Sequence, residues 1–238
     1  MKRLILTIVC FLTCTAVFIS SFIFKANVST NGNGSSEGTL PVIIIDAGHG
    51  GFDGGAVASD GTIEKDINLK ITLFLREYLT FFGFKTIMVR DSDCSVEADP
   101  SATIRERKTS DLHNRLKLLE DTENAILVSI HQNKFTEERY SGAQVFYSPR
   151  SKDESSLLAQ CIQETIVNTL QKSNTRQIKE CGSSVYLIYN AVKPAVLVEC
   201  GFLSNLKEAE LLKTEKYQKQ LAFCIAIGIQ NYSELRNG

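Results

Sequence analysis

Short runs of β-branched residues alternate along this chain with longer amphipathic segments, from Leu40 to near the C terminus. Short apolar runs bounded by glycine or proline are typical of buried strands, whereas apolar residues spaced three and four apart are typical of helices. Strands and helices that alternate in this way build a sheet of mostly parallel strands with helices on both faces. The pattern therefore predicts an α/β fold, a single domain around a mostly parallel mixed sheet of about six strands.

The individual elements follow from the same periodicities. The predicted strands are the short apolar runs at residues 42–45, 85–89, 125–130, 144–147, 185–188 and 195–198. The predicted helices are the longer amphipathic segments at residues 64–82, 100–120, 154–170, 208–212 and 217–232. These elements account for most of the chain after Leu40.

The N-terminal segment differs from the rest of the chain. Two basic residues precede an uncharged apolar run, Leu4–Phe24, which is long enough to cross a bilayer as a helix. Residues 1–25 are therefore expected to be a membrane anchor or signal segment, with the basic residues in the cytoplasm and the rest of the chain outside. A cleaved signal peptide is the alternative, although no clear Ala-x-Ala-like site is present. Residues 26–39, rich in Asn, Gly and Ser, are expected to be a flexible linker to a folded domain at 40–238.

Composition restricts the function of that domain. The net charge is −1, which argues against a nucleic-acid partner because nucleic-acid-binding domains are usually basic. The seven cysteines include no C-x-x-C pair, so the spacing of a zinc ribbon or a thioredoxin-like site is absent. The cysteines are expected to be free or buried thiols.

Polar residues follow three of the predicted strands at the ends where a parallel sheet places its ligands. His49, His131 and Glu199 come after the strands at 42–45, 125–130 and 195–198, and Glu64 opens the first helix. Two histidines and a glutamate are a known ligand set for catalytic Zn²⁺, and a further carboxylate can move the proton of an attacking water. Each residue alone also fits a structural role, as a hydrogen-bonded histidine, a helix N-terminal carboxylate or an ion-pair partner.

The glycine-rich loop after the first strand does not match a dinucleotide-binding fingerprint. Asp53 occupies the position of its third glycine, and further glycines delay the next helix. The remaining histidine, His113, lies in a charged helical segment and is expected at the surface.

Four motifs, in order, resemble the zinc N-acetylmuramoyl-L-alanine amidases of the amidase-3 type over about residues 41–232. They are IIIDAGHGGFDGGAV, EKDINL, SIHQN and PAVLVECGFLSN. The resemblance implies that His49, Glu64 and His131 bind one Zn²⁺ and that Glu199 is the catalytic glutamate. It makes residues 40–238 a zinc amidase domain that cleaves the amide between the lactyl group of N-acetylmuramic acid and L-alanine in peptidoglycan.

Further positions are departures from the family motifs or candidates for supporting roles. Departures from the usual motifs at Ala47, Gln132 and Cys200 remove no ligand. The candidates for supporting hydrogen bonds or substrate contacts are Asp46, Asp53, Arg115 and Asn133.

A finer resemblance is to the sporulation branch of the family, which prepares spore cortex for germination. It is carried by RERKTSDLHNRLKLLE, SGAQVFY and TRQIKECGSSVYLIYNAVKPAVLVE. It implies peptide removal on the way to muramic δ-lactam, a GerS-like sporulation lipoprotein as partner, and a location on the outer face of the cytoplasmic membrane, in the forespore intermembrane space. The competing hypotheses are an inactive peptidoglycan-binding protein with the same fold, and another zinc peptidase or deacetylase.

Overall fold

A computed structural model describes residues 40–237, so the expected anchor and linker lie outside the described residues. The strands are β1 (Val42–Ala47), β2 (Thr86–Met88), β3 (Ala125–Asn133), β4 (Gln144–Tyr147), β5 (Lys179–Glu180) and β6 (Ala195–Phe202). The helices are α1 (Glu64–Phe81), α2 (Ile104–Asp121), α3 (Lys152–Thr169), α4 (Tyr186–Asn190), α5 (Leu206–Leu212) and α6 (Glu215–Asn237).

The strands form one sheet in the order β2-β1-β3-β6-β4-β5. Strands β2, β1, β3 and β6 are parallel to one another, β4 runs antiparallel to β6, and β5 is parallel to β4. The prediction of a mostly parallel six-stranded sheet is confirmed. Its central strands β1, β3 and β6 are neighbours, although long stretches of chain separate them.

Helices cover both faces of the sheet, as predicted. Ile43 and Ile45 of β1 are fully buried in an apolar cluster to which α1, α3 and α6 also contribute. Ile44, which points to the other face, packs in a second cluster with residues of α2 and α4. Successive side chains of a strand point to opposite faces, so β1 needs apolar residues throughout, and its VIII run supplies them.

The start of α2 is set by local hydrogen bonds rather than by the proline at which the predicted helix begins. The Thr103 hydroxyl accepts a hydrogen bond from the backbone N–H of Glu106, and the Glu106 carboxylate accepts one from the backbone N–H of Thr103. This capping box satisfies two backbone donors that would otherwise lack partners at the helix end. The helix therefore begins at Ile104, four residues after Pro100.

One predicted strand is wrong. Residues 185–188 belong to the short helix α4 and the turn before it, with Leu187 and Ile188 buried against the sheet. A short run that is apolar on all sides does not distinguish a buried strand from a buried helical turn. The edge strand that the sequence did not predict is β5, whose two residues are charged and exposed.

Two further properties concern the described chain as a whole. Within residues 40–237, no helix combines the length and apolar character that crossing a membrane requires. The five cysteines of this part of the chain are free, with Cys94 exposed and the other four buried.

Candidate metal centre

The four residues singled out in the sequence meet at one edge of the sheet. His49 lies in the loop after β1, Glu64 is the first residue of α1, and His131 and Glu199 are opposite each other on the adjacent strands β3 and β6. Because β1, β3 and β6 are parallel, their carboxyl ends lie at the same edge. The sheet therefore brings together residues that are up to 150 positions apart.

The two imidazoles converge on one carboxylate oxygen. Glu64 Oε1 lies 3.3 Å from His49 Nε2 and 3.0 Å from His131 Nδ1. The imidazole rings meet edge to face, with centroids 5.0 Å apart. The three side chains can each offer one ligand atom, and these atoms lie within 4.8 Å of one another.

This donor set fits zinc. Zinc binds imidazole nitrogen and carboxylate oxygen at about 2.0–2.2 Å, so tetrahedral ligand atoms lie roughly 3.3 Å apart. The nitrogen–oxygen separations of 3.3 Å and 3.0 Å are close to that value. Two imidazoles and one carboxylate also leave a fourth position for water, as catalytic zinc sites require.

A hydrogen-bond network holds Glu64. Its Oε2 accepts from the backbone N–H of Ala56 at 2.8 Å, and its Oε1 accepts from the backbone N–H of Gln132 at 3.0 Å. The Asn68 amide, one helical turn along α1, donates to Oε1 at 3.3 Å and accepts from the Gln132 side chain at 3.1 Å. Burial opposes the charge on Glu64, but the two histidines outweigh it and keep the carboxyl pKa well below its usual range.

Asp53 orients His49. Its Oδ2 lies 3.1 Å from His49 Nδ1, which leaves Nε2 facing Glu64. A carboxylate on the second nitrogen is the usual way in which proteins fix the orientation of a metal-binding histidine. Burial disfavours the imidazolium form, but the hydrogen bonds to Asp53 and Glu64 outweigh this effect and raise the pKa of His49 to about 9.

Two buried arginines hold the backbone that carries His49. Arg115 donates to the carbonyl oxygens of Ala47 and His49, and Arg90 donates to those of Ala47 and Gly48. His49 has a φ of 63°, a left-handed conformation that is uncommon for residues other than glycine. The arginines thus stabilise a turn that the chain does not favour by itself.

Asp46 acts beneath this turn rather than at the metal ligands. Its carboxylate is buried, forms an ion pair with Arg115 and accepts a hydrogen bond from Ser129 at 2.5 Å. Burial opposes its ionisation, but the charge of Arg115 and the Ser129 hydroxyl hold its pKa below the usual range. Asp111 accepts from Arg115 on the other side, at 2.6 Å.

Glu199 has a different environment from Glu64. One of its carboxylate oxygens, Oε2, is buried and has no hydrogen-bond partner among the described residues. Burial raises the pKa of the Glu199 carboxyl to about 7. A carboxyl group that exchanges its proton near neutral pH is suited to general acid–base catalysis.

A cleft of about 310 Å³ opens beside these residues. His49, His131 and Glu199 line it together with residues of α2 and α4, among them Lys108 and Tyr186. The cleft leaves His49, His131 and Glu199 accessible to a bound molecule.

Sequence reasoning placed some supporting residues and missed others. Asp53 contacts His49, Arg115 contacts the His49 backbone, and Asp46 contacts Arg115. The Asn133 side chain forms no hydrogen bond within residues 40–237, and its backbone carbonyl accepts from the backbone N–H of Leu203. Asn68 and Arg90 were missed. The four-residue spacing from Glu64 to Asn68 was a usable signal, because residues four apart share a helix face.

The chain is similar to known proteins over most of its length. Residues 43–231 match the family Amidase_3, N-acetylmuramoyl-L-alanine amidase. The chain is 38% identical to the germination-specific N-acetylmuramoyl-L-alanine amidase of Bacillus subtilis (strain 168) over 215 residues, which cover 89% of each protein.

Solved structures give the same result. The CwlD amidase from Clostridioides difficile, solved in complex with the GerS lipoprotein, has 43% identity and a TM-score of 0.78, with 82% of this chain and 99% of that chain covered. An N-acetylmuramoyl-L-alanine amidase from Clostridium difficile 630 has 31% identity and a TM-score of 0.70, with 82% and 97% covered.

Proposed function

The chain belongs to the N-acetylmuramoyl-L-alanine amidase family Amidase_3, and on this premise we propose that it uses one Zn²⁺ to hydrolyse the amide between the lactyl group of N-acetylmuramic acid and L-alanine in peptidoglycan. The observation that carries the proposal is the convergence of His49 and His131 on Glu64, with Glu199 beside them. We assign His49, Glu64 and His131 as metal ligands and Glu199 as the catalytic residue.

Zinc would supply Lewis-acid chemistry, and the ligand residues would hold it in place. When bound, zinc acts as a Lewis acid that makes water a better nucleophile and polarises the scissile carbonyl. His49 contributes Nε2, because Asp53 occupies its Nδ1. Glu64 contributes negative charge that its hydrogen bonds from Ala56 and Gln132 hold in place.

Glu199 moves the proton. Its unpartnered, buried Oε2 accepts a proton from the attacking water, since no group of the described chain competes for that oxygen. The protonated carboxyl then donates this proton to the nitrogen of L-alanine, and the carbon–nitrogen bond breaks. A pKa near 7 serves both steps, because neither form of the carboxyl is strongly favoured at neutral pH.

The wider role follows from the similar proteins. One relative is a germination-specific amidase, so we assign this chain to spore-cortex peptidoglycan, where peptide removal precedes formation of muramic δ-lactam. One solved relative is in complex with a lipoprotein, and we propose a lipoprotein partner here too. The apolar run at residues 4–24 supports an anchor within residues 1–25, and the Asn-, Gly- and Ser-rich composition of residues 26–39 supports a linker. We propose that the catalytic domain, 40–238, lies outside the cytoplasmic membrane.

The test is hydrolysis of purified peptidoglycan by the full chain with zinc, followed by mass spectrometry of the products. Glycan with an intact lactyl group, together with peptides that have a free L-alanine amine, is the expected result. Released acetate would identify a deacetylase, and peptides cut at an internal bond would identify a peptidase. Binding without any product, with zinc and a lipoprotein partner present, would identify a non-catalytic wall-binding protein.

A further inference from the structure

The cleft has a single exposed cation among the described residues that line it. Arg115, the other cationic lining residue outside the histidines, is buried and fully engaged by Asp46, Asp111 and backbone carbonyls. The Lys108 side chain also lines the cleft and is 51% exposed. An incoming anionic group would therefore meet Lys108.

The Asp53 carboxylate lies between Lys108 and His49, a proposed metal ligand. Its Nζ lies 3.1 Å from Asp53 Oδ1, and the other oxygen of Asp53 lies 3.1 Å from His49 Nδ1. An ammonium group has three donors, and Asp53 accepts from Lys108 once. The remaining donors can bind a second carboxylate, because an exposed ion pair of this kind is weak enough to be shared.

The neighbouring cation, Arg107, is not available to bind a carboxylate in the cleft. Arg107, the preceding residue of α2, lies over the Phe52 ring at 3.9 Å and pairs with Glu97 at 2.7 Å. This contact fixes Arg107 outside the cleft, while Phe52 forms part of the wall beside Lys108. The wall therefore combines an apolar ring with one exposed positive charge.

The substrate class of the proposed function, on which this inference rests, has its charge on one side of the scissile bond. The sugar side is neutral, whereas the residue after L-alanine in the stem peptide is acidic, with a carboxyl group that is either free or amidated. Each residue of extended chain spans about 3.5 Å, so this group lies roughly 7 Å beyond the scissile nitrogen. The path from His49 Nδ1 through the Asp53 carboxylate to the Lys108 ammonium, made of two 3.1 Å contacts and the carboxylate between them, has a similar length.

We propose that Lys108 binds the free carboxylate of the residue that follows L-alanine, so that the enzyme prefers stem peptides in which this carboxyl group is not amidated. Lys108 is then a specificity residue, and it takes no part in bond cleavage. Charge-assisted hydrogen bonds are the stronger kind, and the preference of the wild-type protein is expected to be about tenfold in kcat/KM.

The experiment compares two muramoyl peptides that differ only in a carboxylate or a carboxamide at that residue. The full chain with zinc is expected to favour the carboxylate, and Lys108→Met is expected to remove the preference, mainly through KM. Lys108→Arg should keep it. Lys117→Met is the matched control, because Lys117 lies on the same helix, pairs with Asp121 and does not line the cleft.

The ratio of kcat/KM for the two substrates distinguishes a role of Lys108 in substrate binding from a purely structural role. If Lys108 only stabilised Asp53, its loss would slow both substrates equally and leave the ratio unchanged, which would overturn the inference. Equal rates for both substrates with the wild-type protein would overturn it as well while leaving the amidase function intact. Hydrolysis of neither substrate by the wild-type protein, with zinc and a lipoprotein partner present, would refute the proposed function and the inference with it.

Discussion

Two glutamates beside the same pair of histidines differ in their protonation. Glu64 accepts hydrogen bonds from the imidazoles and from backbone N–H groups, so its pKa lies well below the usual range despite burial. Glu199 is buried without such partners, and its pKa rises to about 7. A permanently charged carboxylate suits a metal ligand, and one that titrates near neutrality suits a proton carrier.

Replacing Glu199 separates catalysis from metal binding. Glu199→Gln is expected to lower kcat by about 10²–10⁴-fold, the usual contribution of a general acid–base group. Zinc content should be unchanged, since the three ligands are intact. Turnover of peptidoglycan and metal analysis of the same preparation check both statements, and near-normal turnover would show that another group carries the proton.

The same substitution should also change how stability depends on pH. The folded pKa of Glu199 is raised from 4.5 to about 7, so the folded state keeps a proton that the unfolded state has released. Its contribution to the free energy of unfolding is complete below pH 4.5 and is lost as pH rises through 7. Glu199→Gln has no such group, so at pH 8 the free energy of unfolding of the metal-free variant should exceed that of metal-free wild type by roughly 3 kcal/mol.

Urea unfolding of both proteins at pH 5 and pH 8, in the presence of a chelator, measures this effect. Other titrating groups are common to both proteins and cancel in the difference. A difference that is the same at the two pH values would mean that Glu199 ionises normally in the folded state.

At the scale of elements, the loop from β1 to α1 places two of the three ligands. Gly55 has a φ of +70°, and a Cβ added there would lie 2.6 Å from Glu64 Oε2 and 2.6 Å from His49 Cδ2. Gly61, in the same loop, has a φ of +88° and no atom within 4 Å of such a Cβ. The two glycines share a left-handed backbone conformation, but only a Cβ at position 55 would touch His49 and Glu64.

Gly55→Ala should therefore weaken zinc binding, whereas Gly61→Ala should not. Both substitutions are expected to cost roughly 1–2 kcal/mol in stability from the left-handed backbone. Only Gly55→Ala moves His49 and Glu64 apart, and displaced ligand geometry is expected to lower zinc affinity by about 10–100-fold. Competition with a chromophoric chelator gives the affinities. Equal affinities would indicate that the loop adjusts without moving its ligands.

Elements differ in how well the sequence predicts them. Strands β1, β3 and β6 are buried on both faces, so their β-branched runs carry a strong signal. Helix α4 and strand β5 do not, because α4 is a short apolar turn buried by its neighbours and β5 is a charged two-residue edge strand. The start of α2 depends on the Thr103 capping box, which can be recognised as a Thr-x-x-Glu pattern.

For the whole molecule, the parallel order of strands was enough to predict that His49, His131 and Glu199 meet. Strand topology determines which loops share an edge. It does not determine the orientation of the side chains that support them. The bonds from Gln132 and Asn68 to Glu64 depend on a register shift in β3 after His131 and on the rotation of α1, and neither can be read from an apolar pattern.

Zinc should join three elements that lie far apart along the chain. Its ligands come from the loop after β1, the start of α1 and the end of β3, so the unfolded chain has no equivalent site. A ligand bound only to the folded state stabilises it by about 4 kcal/mol at 1,000 times its dissociation constant. The thermal midpoint should rise with zinc, and His49→Ala should lose most of the rise.

Zinc binding should also be coupled to the deprotonation of His49. The pKa of His49 is about 9 without metal, so at pH 7.5 its imidazole is protonated, whereas a metal ligand must be neutral. Zinc binding should then release about one proton from His49 at pH 7.5, and affinity should increase as pH rises toward 9. Calorimetric titrations in two buffers of different ionisation enthalpy give the number of protons released. If binding released none, the imidazole would already be neutral in the free protein, and its contacts with Asp53 and Glu64 would not be those of a charged group.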